Sequence, residues 1–210
     1  MNLSRAEIPW PAAGNPYEHH RRIWRLFPGE PSELRHGREA ERTGFLFRLE
    51  ENRPGCPGRV LIQSVRSPQP ADGITLIATR TINPQPTGGQ RLAFLLTANP
   101  IKNIKDEQIA QKPAKRRDTC RVPLIREQEQ QDWLARKLAG AAEIEAVSVL
   151  PHQPIFFRRG NRAGKLVTVT FEGVLRVDDP LALVDRLRNG IGPAKAFGCG
   201  LLLVRRMTGT

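Results

Sequence analysis

The chain of 210 residues carries 33 Lys+Arg against 21 Asp+Glu, a formal net charge of +12, and its isoelectric point is about 10.7. So cationic a chain suits a polyanionic partner, its length allows one large or two small domains, and its 39% hydrophobic content excludes a disordered tail. The longest apolar runs, residues 92–96 and 201–204, fall far short of the roughly 18 residues a membrane span needs. MNLSRAEIPWP has no apolar signal core, so a cytoplasmic protein is expected. Cys56, Cys120 and Cys199 are odd in number, far apart and without metal-ligand spacing, which argues against a disulfide framework and a zinc site.

Residues 3–8 alternate weakly and read as an edge strand. Asn15-Pro16 is an N-cap followed by a proline at the first helical position. The helix it opens is expected to run from Tyr17 to about Phe27, with Ile23, Trp24 and Phe27 as its apolar stripe and Pro28-Gly29 as its stop. A charged loop covers 30–42. Residues 45–50 and 59–66 alternate as paired strands across a turn-rich NRPGCPG. Residues 73–81 read as a further strand and 92–97 as a buried one. Ala98-Asn99-Pro100 breaks the chain, and the domain boundary is placed at residue 98.

In the second half a basic, proline-containing loop covers 111–119. The clearest helix spans 126–141, with Trp133, Leu134 and Leu138 on one face and Glu127, Glu129 and Asp132 near its start. Strands at 144–150 and 155–158 follow, then a turn over 159–164 and one long alternating strand over 166–177. Asp179-Pro180 opens a helix over 181–189, and a glycine loop leads to a last strand at 201–206. Strand, helix, strand pair, helix, strand is the order of a ferredoxin-like unit. The expected class is therefore α+β, two ferredoxin-like (βαββαβ) domains in tandem over residues 1–98 and 99–210. The first half fits poorly at its second helix.

The charge is unevenly spread. Residues 1–98 are net +4 with arginine as their only basic type, whereas residues 99–210 are net +8 and hold all seven lysines. Three clusters stand out: Arg21, Arg22 and Arg25; Lys112, Lys115, Arg116, Arg117 and Arg121; and Arg158, Arg159, Arg162 and Lys165. Any one of them reads equally as a solvated face, but together they favour a nucleic-acid surface. No basic amphipathic helix with a strong apolar face points instead to a membrane.

Two local patterns carry chemistry. The glycine loop holds Gly190, Gly192, Lys195, Gly198 and Gly200; it allows positive φ and close backbone approach. It has no GK[ST] ending, and it follows a helix and precedes a strand, so it is neither a Walker loop nor a dinucleotide fingerprint. It reads either as a phosphate cradle beside Lys195 or as a tight crossover. On the first helix Tyr17, the only tyrosine, stands three residues before His20 and shares its face. An imidazole near neutral pKa with fixed arginine charge nearby is what ribonuclease chemistry requires. By motif alone, a partly exposed histidine on an Arg-rich helix is more often an ordinary surface residue. His19 points about 100° away from His20, and Glu18, His19 and His20 lack the i, i+4 pair of a metal site.

Tyr17-Glu-His-His20 with Ile-Trp-Arg-Leu-Phe-Pro behind it, Ala98-Asn-Pro-Ile-Lys102 and Arg121-Val-Pro-Leu-Ile125 resemble the CRISPR-associated CasE family, type I-E endoribonucleases of the RAMP superfamily. Phe171-Glu-Gly-Val-Leu175, Gly190-Ile-Gly-Pro-Ala-Lys195 and Gly198-Cys-Gly-Leu-Leu202 extend the likeness along the whole chain. The resemblance implies the tandem RRM-like fold and metal-independent cleavage of CRISPR repeat RNA at the base of its hairpin. No cofactor is implied. The ribose 2′-hydroxyl attacks the adjacent phosphate, leaving a 2′,3′-cyclic phosphate and a 5′-hydroxyl. His20 then acts as general acid or base, Tyr17 orients ribose or phosphate, and Arg21 and Arg25 stand where phosphate-stabilising charge is useful.

The resemblance further implies that the enzyme keeps its crRNA product and joins the other Cascade subunits; the free protein is expected to be monomeric. The hairpin around Arg158, Arg159, Arg162 and Lys165 would enter at the stem base. Lys102, Lys112, Lys115, Arg116, Arg117, Arg121 and Arg126 would track stem phosphates, because an A-form major groove is too deep and narrow for side chains to read. The glycine loop becomes backbone support near the active helix. The alternative is a non-catalytic RNA-hairpin-binding subunit of a ribonucleoprotein.

Overall fold

The computed structural model describes residues 1–29, 44–105, 119–152, 154–159 and 162–207. The expected loops over 30–42 and 111–118 lie outside the described residues. Among the described residues the chain forms two four-stranded antiparallel sheets, with helices laid on them and two small hairpins at their margins.

The first sheet contains β1 (Asn2–Ile8), β2 (Phe45–Glu51), β3 (Gly58–Ser64) and β4 (Thr75–Thr81), in the order β2-β3-β1-β4. Helix α1 (Pro16–Trp24) connects β1 to β2. The Asn15 side chain accepts the Tyr17 N–H and Pro16 needs no partner, as the sequence predicted. The helix is shorter than expected. Beyond Trp24 the bonds tighten, with Leu26 N–H donating to the Ile23 carbonyl and Phe27 N–H to Trp24. β1 is not the edge strand its weak alternation suggested, since β3 and β4 flank it. Its small Ser4 is buried and accepts a hydrogen bond from the Thr79 hydroxyl at 3.0 Å.

The second sheet comprises β5 (Arg91–Ala98), β8 (Ala142–Pro151), β11 (Val169–Val177) and β12 (Leu202–Arg206), in the order β12-β5-β11-β8. Helices α2 (Glu127–Leu138) and α3 (Pro180–Asn189) supply its two crossovers. Both sheets thus have the strand order 4-1-3-2 of a ferredoxin-like unit, and the fold is the tandem one expected. The boundary at residue 98 is corrected. β5 pairs with β11 and β12, so the second unit begins at Arg91 rather than at 99. Between β3 and β4, residues 65–74 contain no helix, which accounts for the poor fit of the first half.

Two hairpins were not foreseen in this form. β6 (Ile101–Lys105) pairs with β7 (Thr119–Pro123), and β9 (Ile155–Arg159) with β10 (Arg162–Leu166). The single strand expected over 166–177 is broken at Val167-Thr168. There the Val167 carbonyl accepts from Asn99 Nδ2 at 2.6 Å and the Thr168 carbonyl from the His152 N–H at 3.2 Å.

Each sheet has its own apolar core. Ile8, Ile23, Phe27, Phe45 and Phe47 fill the first, and Leu96, Trp133, Leu134, Phe171 and Leu183 fill the second. A third cluster, Leu46, Leu61 and Leu201 backed by Leu3 and Leu203, joins the two. Alternation along β2 explains this: Phe45 and Phe47 face one core and Leu46 the seam. Gln63 on β3 adds a buried polar tie, donating through Nε2 to the Leu187 carbonyl in the last turn of α3 at 2.6 Å.

The loop after α3 closes that seam. Gly190 has φ 73° and ψ 169°, a region open essentially only to glycine. A Cβ there would lie 2.8 Å from the Gly200 carbonyl oxygen and from Leu46 Cδ1. Gly190→Ala is expected to lose about 1–3 kcal/mol from backbone strain alone, read as a lower urea midpoint. A wild-type midpoint would contradict this account of the loop.

Candidate active site and nucleic-acid surface

Helix α1 lies where the two units meet. A 3-10 turn inside the glycine loop (Lys195–Phe197) packs on α1 and β2, and β9 also packs on α1. Phe197 of that turn meets Phe157 of β9, with ring centroids 4.5 Å apart. Opposite Phe157 in the β9–β10 ladder stands Gly164, where a Cβ would fall within 2.2 Å of the Phe157 ring. The glycine lets the ring lie flat across its own hairpin. The basic hairpin and the glycine loop are therefore joined through an aromatic contact, and both pack on α1.

On α1 the i, i+3 spacing puts Tyr17 and His20 on one face, both half-buried. His20 sits among aromatic rings, with centroids 5.2 Å from Phe45 and 5.8 Å from Trp24, the latter edge-on at 88°. Trp24 and Phe45 are themselves 5.0 Å apart. The Trp24 indole Nε1–H donates to His20 Nε2 at 3.2 Å. Burial in this aromatic setting pushes the His20 imidazole down to about 4, so it is neutral at pH 7. His19 faces the interior, with Nε2 2.8 Å from the Ala13 carbonyl oxygen, and burial lowers its pKa too. It is a core residue, and its offset of about 100° keeps it off the face that His20 shares with Tyr17.

The arginines expected beside the reacting groups are otherwise engaged. Arg21 Nη1 donates to Glu18 Oε1 at 2.7 Å, and Arg25 Nη1 to the Asp72 carbonyl at 3.0 Å. Neither hydrogen-bonds Tyr17 or His20. Arg22 lies near Glu18 at 3.9 Å and the Gly73 carbonyl at 3.5 Å, and its buried Nε has no hydrogen-bond partner among the described residues.

Of the residues expected to bind RNA, Lys102 on β6 pairs with Glu129 of α2 at 3.0 Å. Arg121 on β7 and Arg126 at the start of α2 are exposed. Lys165 on β10 is exposed, with Nζ 5.8 Å from the centroid of the Phe156 ring. The backbones of Arg158, Arg159 and Arg162 lie in the β9–β10 hairpin, while Lys112, Lys115, Arg116 and Arg117 lie outside the described residues.

In the glycine loop Gly190, Gly192, Gly198 and Gly200 all have positive φ. Cβ atoms at Gly192 and Gly200 would come within 2.8 Å of the Trp133 ring and 2.9 Å of the Ile191 carbonyl oxygen. The Gly200 carbonyl accepts the Ile191 N–H at 2.9 Å, so this backbone is bonded to itself and packed on side chains. Lys195 belongs to the turn against α1. Cys199 is buried, its thiol pushed up to about 12 by desolvation, whereas Cys56 and Cys120 are exposed.

The residue that sequence reasoning missed is Trp24. The sequence places it in an apolar stripe, but i, i+4 spacing also sets its indole edge against His20, and that spacing was the available signal.

The family model described as "CRISPR associated protein" matches residues 1–206. The CRISPR system Cascade subunit CasE of Escherichia coli K12 is 42% identical over 204 residues, covering 96% of this chain and 98% of that protein. The chain belongs to this CRISPR-associated family. The crystal structure of the CRISPR-associated protein Cas6e from Escherichia coli K-12 superposes with a TM-score of 0.83 at 38% identity, covering 99% of this chain and 100% of that one. A structure of the CRISPR endoribonuclease Cse3 bound to 19 nt RNA superposes with a TM-score of 0.74 at 30% identity, covering 98% and 100%.

The depressed His20 pKa has a consequence for stability. Between 6.5 and about 4 the unfolded chain binds a proton at His20 that the folded chain does not. This contribution is complete above 6.5 and is lost as pH falls toward 4; buried His19 acts in the same direction. His20→Gln is expected to lose less stability than wild type when urea midpoints are followed from pH 7 down to pH 4. Parallel curves for the two proteins would contradict the buried neutral imidazole.

Proposed function

We propose that the chain is an endoribonuclease that cleaves CRISPR repeat RNA at the base of its hairpin. The observation that carries this reading is a neutral, ring-packed His20 sharing a helix face with Tyr17, at the seam where the basic β9–β10 hairpin and the glycine loop meet α1. The family relatives support it, one named as a Cascade subunit and another as an endoribonuclease bound to RNA.

In the proposed reaction the 2′-hydroxyl oxygen bonds to the adjacent phosphorus and the P–O5′ bond breaks. One proton leaves the 2′-hydroxyl and one arrives on the departing 5′-oxygen. The products are a 2′,3′-cyclic phosphate and a 5′-hydroxyl. The nucleophile is supplied by the RNA itself, so the protein's task is proton movement and charge stabilisation. His20 moves a proton and Tyr17 orients the ribose or phosphate. Arg21 and Arg25 each hold one protein partner through Nη1, Glu18 and the Asp72 carbonyl, and their remaining N–H groups would serve the phosphate.

The exposed Arg121, Arg126 and Lys165 suit phosphate contacts along an A-form stem, where shape and backbone rather than base edges are read. The backbones of Arg158, Arg159 and Arg162 lie in the β9–β10 hairpin, and β9 packs on α1. The proposal includes independence of metal ions, retention of the product crRNA within a Cascade assembly, a cytoplasmic location and a monomeric free protein.

His20→Ala is expected to slow cleavage of the repeat by about 10²–10⁴-fold while hairpin affinity stays within about threefold, since the imidazole supplies chemistry rather than phosphate charge. Cleavage at the wild-type rate would remove His20 from the mechanism. Wild-type cleavage should continue in EDTA and yield the cyclic phosphate on end-mapping; a chelator-sensitive reaction would point to metal catalysis instead. Arg158→Ala and Arg162→Ala should each flatten the dependence of log affinity on log salt by about one unit. An unchanged slope would take that hairpin off the RNA.

A further inference from the structure

The Trp24–His20 contact sets more than packing. An indole N–H is a donor only, so the His20 nitrogen that accepts it carries no proton. Trp24 Nε1 lies 3.2 Å from Nε2, and the neutral imidazole must therefore hold its single proton on Nδ1. Phe45 packs against both rings, with centroids 5.2 Å from His20 and 5.0 Å from Trp24, which keeps the two planes near a right angle. Nδ1 makes no hydrogen bond among the described residues, which leaves it as the ring atom available to a ligand.

We propose that Trp24 is a positioning residue for the cleavage reaction: its indole N–H holds His20 in the Nδ1–H tautomer and occupies Nε2, so that His20 presents an N–H donor to the RNA and takes a proton at Nε2 only when the indole lets go. This rests on the endoribonuclease reading for its functional meaning, though the tautomer itself does not. A hydrogen bond donated to the neutral ring favours the neutral form, so its loss raises the midpoint of His20 titration.

The charged groups around His20 do not substitute for this contact. On its own helix Tyr17 shares its face, and Arg21 is paired with Glu18. From β2 comes Phe45, and the 195–197 turn, which carries Lys195, and β9 also pack on α1. Apart from the paired Glu18 these are neutral or cationic, and they are the same whether or not residue 24 carries an N–H.

The test uses full-length protein with isotopically labelled histidine, observing the His20 ring by NMR across pH and cleavage of the repeat hairpin in parallel. Trp24→Phe retains an aromatic ring without the N–H. Replacement of Trp24 by 3-benzothienylalanine keeps the indole shape without the N–H and covers the case in which the phenylalanine variant fails to fold. Wild-type His20 is expected in the Nδ1–H form. Both replacements should raise its midpoint by about one pH unit, the size of an ordinary hydrogen bond, and mix its tautomers. The limb of the pH–kcat/KM profile that belongs to His20 should move to higher pH by the same amount, with hairpin affinity unchanged.

An Nε2–H wild-type ring, or replacements that leave tautomer, midpoint and pH profile where they were, would overturn the assignment. If the midpoint moves but the wild-type protein cuts no repeat RNA, the tautomer assignment stands and the endoribonuclease reading fails. If wild type cuts and the replacements change nothing, the reverse holds.

Discussion

The arrangement depends on the twelve residues between α3 and β12 lying against β2 and α1. Gly190, Gly192, Gly198 and Gly200 have backbone angles that side chains resist, and at Gly190 and Gly200 a Cβ would strike a carbonyl oxygen of the same loop. Because those positions are bare, the 195–197 turn reaches α1, and Phe197 of that turn reaches Phe157 of the β9–β10 hairpin. Two units with separate cores are thereby connected at the helix that carries His20. Without the seam, the imidazole and the basic hairpin would be set by independent bodies, and the site would lose the fixed geometry that proton transfer demands.

What could be read from the chain follows how local its cause is. Asn15-Pro16 and Asp179-Pro180 open helices through contacts within three residues, and both N-caps are found as expected. The Tyr17–His20 pairing is helical periodicity and was equally legible. The strand over 92–97 was visible as a strand, but its sheet was not, because pairing with β11 and β12 is decided by residues far away in the chain, from Thr170 opposite Thr97 to Arg206 opposite Leu92. β1 was mistaken for an edge because Ser4 and Arg5 dilute its apolar pattern, while its central place follows from β3 and β4. The break at Val167-Thr168 depends on bonds from His152, outside the local strand pattern, and from the distant Asn99. Trp24 misled for another reason: its ring belongs to the apolar stripe, and its polar edge serves His20.

The positive charge divides into two kinds. Near His20 the arginines are each tethered within the protein, Arg21 to a carboxylate and Arg25 to a backbone carbonyl. Elsewhere Arg121, Arg126 and Lys165 are exposed to solvent, while Lys102 shares its charge with Glu129. In the proposed reading the +12 that first suggested a polyanion serves mostly to hold RNA, and the chemistry falls to an imidazole that burial keeps neutral.

The central claim is that the RNA's own 2′-hydroxyl is the nucleophile and that this site only moves protons around it. The most direct measurement is single-turnover cleavage of a repeat hairpin carrying one 2′-deoxynucleotide immediately 5′ of the scissile phosphate. The account predicts unchanged binding and no cut at that phosphate. Cleavage at the rate of the all-ribose hairpin would mean that water or another group is the nucleophile, and would contradict the mechanism.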